Sequence, residues 1–193
     1  MHRHERMFRH ERAHMLDDPD RQKSLPSAAV LERLALRPGM RVADVGAGTG
    51  YFALPMARAV SPGGQVFAVD VQPEMLQRLK ARLEKGLEVA LVEGDATATT
   101  LGDRSVDLVL LANVWHEVDD RAAVLVEAAR ILGPEGRIAI LDWRTDVQVP
   151  PGPPLEHRIA ASDVLAALGA SGWKVGTPEP VGLFSYIILA ARP

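Results

Sequence analysis

Between Val42 and Tyr51 the chain reads V-A-D-V-G-A-G-T-G-Y, with glycine on every second position at Gly46, Gly48 and Gly50. Few stretches constrain a fold more. Glycine there removes the Cβ that would keep a ligand from the main chain, and it accepts positive φ without steric cost. An apolar run precedes the glycines, and Phe52, Leu54, Met56 and Ala59 follow at helical spacing. The unit therefore reads strand, tight turn, helix. Backbone N–H groups and the positive end of a helix dipole converge at such a turn, a seat for a nucleotide-like ligand.

The segments that follow repeat the alternation. Strand one spans about 40–45, and its helix ends at Ser61-Pro62-Gly63-Gly64. Strand two, Gln65 to Asp70, stops on an acid. Pro73 suits the first turn of the next helix, whose core stripe is Met75, Leu76, Leu79 and Leu83. Strand three runs from Leu87 to Val92 and is followed by Gly94-Asp95-Ala96. Strand four, Val106 to Leu111, ends in Ala112-Asn113. Asp119 or Asp120 then caps a helix through Ile131, and Gly133-Pro134-Glu135-Gly136 is expected to break the chain before strand five, Ile138 to Leu141, which stops at Asp142. Ser162 is expected to cap a last helix over Val164, Leu165 and Leu168. Two final apolar runs, near 173–176 and 184–191, are too close in sequence for a parallel crossover and must pair antiparallel. Strands alternating with helices give a parallel sheet buried on both faces, which is why the strands are near-continuous apolar runs.

Composition narrows the function. At 193 residues one domain with a short extension is expected, against about 100–200 per domain. The net charge of −3 lacks the strong positive field that a nucleic-acid binder needs. Cysteine is absent, so disulfides, thiolate metal sites and cysteine nucleophiles are excluded. No apolar run is long enough to span a membrane, and the first residues lack a signal-peptide core, so a cytoplasmic location is the expectation.

Two ligands compete for the glycine loop. The dinucleotide fingerprint, G-x-G-x-x-G, needs its third glycine where this chain has Tyr51. The spacing G-x-G-x-G, with Asp44 two residues ahead, instead resembles motif I of the class I S-adenosylmethionine (SAM)-dependent methyltransferases. From about Val30 to Arg192 the chain resembles their small-molecule type, close to the ubiquinone/menaquinone-methyltransferase-like group. The resemblance implies an α/β, Rossmann-like, seven-stranded, mostly parallel sheet of order 3-2-1-4-5-7-6, its last strand antiparallel, with helices on both faces. It divides the chain into an arm or lid over 1–25 and a methyltransferase domain over 26–193.

The same resemblance assigns a cofactor site for SAM, with S-adenosylhomocysteine as product. Gly46, Gly48 and Gly50 match the loop beneath the methionine and ribose parts. Asp44 matches the acid that helps hold the ammonium end. Asp70 matches the acid that takes the ribose hydroxyls, whose two donors suit a carboxylate's two oxygens. Val71 would lie against the adenine, Asp95 would take its amino hydrogen with the Ala96 N–H nearby, and Asn113 would stand near the donor methyl. All lie at the carboxyl ends of strands, where open α/β sheets bind ligands.

For catalysis, His116 in Asn113-Val114-Trp115-His116-Glu117 is the candidate base, and Asp142 is placed to orient its ring. His157 and Arg158, after the proline-rich loop 147–154, are candidate walls of an acceptor pocket, as is Trp115. Arg21 could pair with the cofactor's carboxylate or an anionic acceptor. The tetrad Arg-His-Glu-Arg, at 3–6 and 9–12, and His10 and His14 leave the arm open as a solvated segment, a lid or a metal site; no metal is assigned. The expected partner is a small-molecule methyl acceptor. Arsenite is disfavoured, because its methyltransferases bind arsenic through thiolates. The rival readings are a non-catalytic SAM-binding module and an NAD(P)-dependent oxidoreductase, the latter disfavoured by Tyr51 and by the lack of a Tyr-x-x-x-Lys pair.

Overall fold

The computed structural model describes residues 8–147 and 152–193. Among them one sheet is built from β1 (Arg41–Val45), β2 (Gln65–Asp70), β3 (Val89–Glu93), β4 (Val106–Ala112), β5 (Leu132–Trp143), β6 (Lys174–Val175), β7 (Glu179–Val181) and β8 (Ser185–Ala191). The order is β3-β2-β1-β4-β5-β8-β6, with β7 also on β8. Strands β1 to β5 run parallel, and β8 runs antiparallel between β5 and β6. This is the expected topology with one short strand added.

The helices are α1 (Arg21–Ser24), α2 (Ser27–Leu34), α3 (Ala53–Val60), α4 (Pro73–Ala81), α5 (Arg121–Ile131) and α6 (Ala161–Ala170). Alternation along the strands sorts two cores. Val42, Val66, Ala68, Leu108 and Leu110 pack with α2, α3 and Leu79 of α4. Ala43, Val45, Val109 and Leu111 pack on the opposite face with α5 and α6. By the same parity Asp44 and Asp70 belong to the first face, and Asp142 to the second.

Three local expectations are corrected. The Gly133–Gly136 stretch does not end before strand five but lies inside β5: Leu132 pairs with Val106, and pairing resumes at Arg137 with Leu108. The turn residues form a bulge that the neighbouring strand tolerates. The loop between the last two runs contains β7, where Pro180, which lacks an N–H, is accommodated on the sheet's outer edge. Ser162 does not cap α6, which starts at Ala161 with Ala160 as its N-cap and no side-chain cap bond. By contrast, Asp120 caps α5 by accepting from the Ala123 N–H at 2.9 Å. No helix among the described residues is long and apolar enough to cross a membrane.

Candidate active site

The glycine loop closes over the end of β2. Gly46 and Ala47 both donate to the Val69 carbonyl, at 2.8 and 3.0 Å. Gly46 and Gly50 have φ of +76° and +89°, and a Cβ at either would meet Val114 Cγ2 at 2.3 Å or Leu79 Cδ1 at 2.2 Å. Here glycine is required both by conformation and by packing.

Two carboxylates flank the loop. Asp70, at the end of β2, accepts from Gly48 N at 2.8 Å on Oδ2 and from Gln72 N at 2.9 Å on Oδ1. Each oxygen keeps a second lone-pair direction for a ligand hydroxyl. Asp44, in β1, is 2% exposed, and its Oδ2 has no hydrogen-bond partner among the described residues. Burial, reinforced by the negative charge of Asp70, pushes the Asp44 carboxyl up to about 7, against the opposing pull of Arg21. Asp70 is also raised, chiefly by burial. A buried, unsatisfied carboxylate is costly unless something cationic or hydrogen-bonding completes it.

Next to Asp70, Val71 is 45% exposed, an apolar surface beside a polar anchor. Asp95 follows β3 and accepts from the Thr97 N–H and hydroxyl at 2.9 and 2.6 Å, so it at least shapes its own turn. Ala96 packs partly buried against the second core. Asn113, just past β4, adopts φ +59°, a left-handed conformation that Asn tolerates better than most residues. Its Oδ1 is buried without a partner among the described residues.

The β4 and β5 ends carry a different arrangement. His116 lies in the 3-10 turn Trp115–Glu117, and Asp142 is completely buried in β5. His116 Nδ1 is 2.8 Å from Asp142 Oδ1, and the His116 N–H donates to Oδ2 at 2.9 Å. The Trp143 N–H also donates to Asp142 Oδ1, at 2.8 Å. The ring is thus fixed by one carboxylate that grips both its side chain and its backbone. Burial alone would lower the His116 pKa, but the hydrogen bond and charge of Asp142, with the charge of Glu117, outweigh it and raise the value. Glu117 Oε1 stands 3.8 Å from His116 Nε2 and accepts from the Phe8 N–H at 3.1 Å. Burial lifts Glu117 to about 7.

Residues 8–25 lie across these strand ends. Gln72 holds them by accepting from His10 N at 2.9 Å and donating to Phe8 O at 2.8 Å. Thr49 donates to Asp17 at 2.7 Å, and Arg82 pairs with the same carboxylate. Leu16 rests on the loop, 3.2 Å from where a Cβ on Gly48 would stand. Arg21 stacks on Tyr51, its Cζ 4.0 Å from the ring centroid, and donates to Leu16 O at 3.3 Å. The first Arg-His-Glu-Arg tetrad lies outside the described residues. Among those described, no group of three His, Asp or Glu is spaced to hold a metal.

The remaining candidates are Arg158, His157 and Trp115. Arg158 is buried and donates to the carbonyls of Pro153, Arg144 and Val147, with its Cζ 5.7 Å from the Trp143 ring. It ties together the chain on both sides of residues 148–151. His157 is half-buried in the turn Leu155–His157. Trp115 is wholly buried in the second core. Gln72, Glu117, Asp17 and Thr49 carry no sequence mark of their role, because their partners lie 32 to 109 residues away.

Residues 43–140 match the family described as methyltransferase domain. The fold is shared with a SAM-dependent methyltransferase from Aquifex aeolicus, 30% identical, with a TM-score of 0.91 over 97% of this chain and 100% of that one. An uncharacterized methyltransferase of Mycobacterium tuberculosis is 47% identical over 105 residues, 54% of this chain and 40% of that protein. A ubiquinone/menaquinone biosynthesis C-methyltransferase of Shewanella frigidimarina is 32% identical over 118 residues, 60% of this chain and 47% of that protein. These matches span less than half the length of the curated relatives.

Proposed function

The chain belongs to the class I SAM-dependent methyltransferases, and from that premise we propose that it moves the SAM methyl group to a small-molecule acceptor. The observation that carries the reading is the pair of buried carboxylates beside the glycine loop, one of them with an oxygen still without a partner. The residues fit the cofactor. Asp44 would receive the ammonium end, which supplies the missing hydrogen bond and positive charge. Asp70 would take the ribose hydroxyls on its remaining lone pairs, and exposed Val71 would support the adenine, with Asp95 and Ala96 at its edge. Asn113, with its orphan Oδ1, would line the methyl-donor end.

Bound SAM supplies an activated methyl on a sulfonium, so alignment of the acceptor is the protein's main task. Positioning of that kind is worth about 7–11 kcal/mol of a barrier. His116 would serve as base where the acceptor has to lose a proton, a contribution of about 10²–10⁴-fold. Asp142, by accepting from Nδ1–H, would keep Nε2 as the basic nitrogen and hold the ring still. Leu16 on the glycine loop and the Gln72 and Glu117 contacts to Phe8 and His10 support residues 8–25 as a lid that lifts for loading and then roofs the site. Residues 143–147 and 152–158, braced by Arg158, would form the acceptor wall with His157.

The test is transfer of labelled methyl from SAM to a panel of quinone-related rings, phenols, amines and thiols. The likeness to the quinone-biosynthesis C-methyltransferase supports testing the rings first. Transfer to one class supports the proposal. SAM binding with no transfer to any class would favour a non-catalytic SAM-binding module, and NAD binding in place of SAM would favour the oxidoreductase.

A further inference from the structure

Glu117 sits where the acceptor half of the site meets the arm, and the alignment of an acceptor leaves it without a task. It closes the 3-10 turn Trp115–Glu117 directly after His116, so chain continuity brings it beside the ring. Its Oε1 stands 3.8 Å from His116 Nε2 and accepts from the Phe8 N–H at 3.1 Å. A separation of 3.8 Å is too long for a hydrogen bond but short enough for a strong charge interaction in a half-buried setting. The other ring nitrogen, Nδ1, is taken by Asp142 at 2.8 Å. Nε2 therefore keeps its lone pair for an acceptor while a second acid stands at its edge.

The surroundings of this acid pull in two directions. Burial, Asp142 from β5 and Asp70 from β2 disfavour its ionisation, whereas His116 and the Phe8 N–H favour it. Arg121 of α5, which donates to Trp115 O at 3.2 Å, disfavours a charge on His116. Of these groups Phe8 alone belongs to residues 8–25. Gln72 holds Phe8 O and His10 N on the same stretch, so docking of the arm and formation of the Glu117 bond go together. A hydrogen bond donated to a carboxylate stabilises its charged form, and an anion beside an imidazole stabilises the imidazolium.

We propose that Glu117 is a positioning residue that joins the arm to the base: with Phe8 docked it stays ionised and steadies a protonated His116, and with Phe8 released it does not. This rests on the reading of His116 as base and adds to it a reason for the arm to be shut during transfer. In that step the acceptor forms its bond to the methyl carbon as the carbon–sulfur bond breaks with its electron pair left on sulfur, and the acceptor's proton passes to Nε2. The imidazolium then favours the charged form of Glu117, which strengthens the bond to Phe8, because coupling between two sites is reciprocal. The arm is held most firmly while the proton is still in the site.

The test reads His116 directly, by NMR titration of the ligand-free protein carrying isotope-labelled histidine. Glu117→Gln, which keeps the shape and can still accept from Phe8 but carries no charge, should lower the His116 midpoint by about one pH unit or more. Phe8→Pro removes the N–H that Glu117 accepts, since proline has none. Measured against Phe8→Ala, which keeps that N–H, the proline variant should lower the midpoint by about half a unit. In the Glu117→Gln background the two Phe8 variants should titrate alike. Tryptic cleavage within residues 8–25 reports on the arm: Glu117→Gln should be cut about three- to tenfold faster than the wild type at about pH 8. The two rates should converge near about pH 5.5, where the wild-type acid, lifted to about 7, is neutral as well. An unchanged midpoint in Glu117→Gln would overturn the role of Glu117. Equal midpoints for the proline and alanine variants, or equal cleavage at the higher pH, would overturn its link to the arm. Neither readout uses cofactor or acceptor, so an acceptor panel without turnover would count against the methyl-transfer reading alone.

Discussion

The two halves of the site are built to opposite plans. At the ends of β1 and β2, Asp44 and Asp70 face the α2–α4 side, and Asp44 keeps an oxygen unbonded. At the ends of β4 and β5, Asp142 faces the other side and is saturated, accepting from the His116 ring, the His116 N–H and the Trp143 N–H. The first half leaves an acceptor unfilled among the described residues. The second is complete by itself and presents an oriented imidazole. Asp44 thus has an unfilled acceptor in the folded chain, whereas the acceptors of Asp142 are spent on holding His116 and the start of the next turn.

Substitutions should separate the halves. The largest effect is expected at Asp70. Asp70→Ala removes both proposed ribose acceptors and strips Gly48 N and Gln72 N of theirs, so affinity for S-adenosylhomocysteine by calorimetry should fall about 100-fold or more, roughly 3 kcal/mol. An unchanged affinity would show that Asp70 only shapes the loop. Next comes Asp142→Asn, which should lower kcat about 100-fold once an acceptor is in hand and leave the S-adenosylhomocysteine Kd unchanged. A matching loss of cofactor affinity would mean that the halves are not separable.

A pH series sharpens the same contrast. Asp44 has a folded pKa near 7 against 3.8 for its ordinary value, because burial disfavours its charge. Its raised value stabilises the folded state at and below about pH 4, and that contribution is lost as pH rises through about 7. Stability of the ligand-free protein in urea should therefore decline from pH 4 to 7, and Asp44→Asn should recover on the order of 2 kcal/mol at pH 8. Glu117 has the same sign, so a weaker decline should persist in that variant. Affinity for SAM should move the other way and strengthen toward pH 7 as Asp44 ionises. The smallest effect is expected at Arg158. Arg158→Met should lower stability by about 1–2 kcal/mol through carbonyls left unsatisfied, visible as a drop in Tm, with cofactor affinity unaltered.

Much of the first half could be read from the chain, because its parts are contiguous. Asp44 and the three glycines fall within seven residues, and Asp70 ends an unbroken apolar run. Alternation and loop length pointed to a parallel sheet with a terminal antiparallel pair, whereas the strand order itself was implied by the family resemblance. What escaped depended on distant partners. The Gly133–Gly136 stretch carries every local signal of a break, yet pairing of Leu132 with Val106 makes it a bulge within β5. Pro178 and Pro180 argue for a loop, yet β8 offers an edge on which β7 can lie. Gln72 and Glu117 are ordinary polar residues until folding brings Phe8 and His10 to them across 62 to 109 positions. The pairing of His116 with Asp142 was anticipated from strand order, but the double grip on ring and backbone was not.

The most direct measurement is a crystal structure with S-adenosylhomocysteine. The expected result has the ribose hydroxyls on Asp70, the ammonium on Asp44 Oδ2 and the sulfur facing the β4–β5 side of the site. A ligand bound elsewhere, with Asp44 Oδ2 still unpartnered, would contradict the division of the site into a cofactor half and an acceptor half.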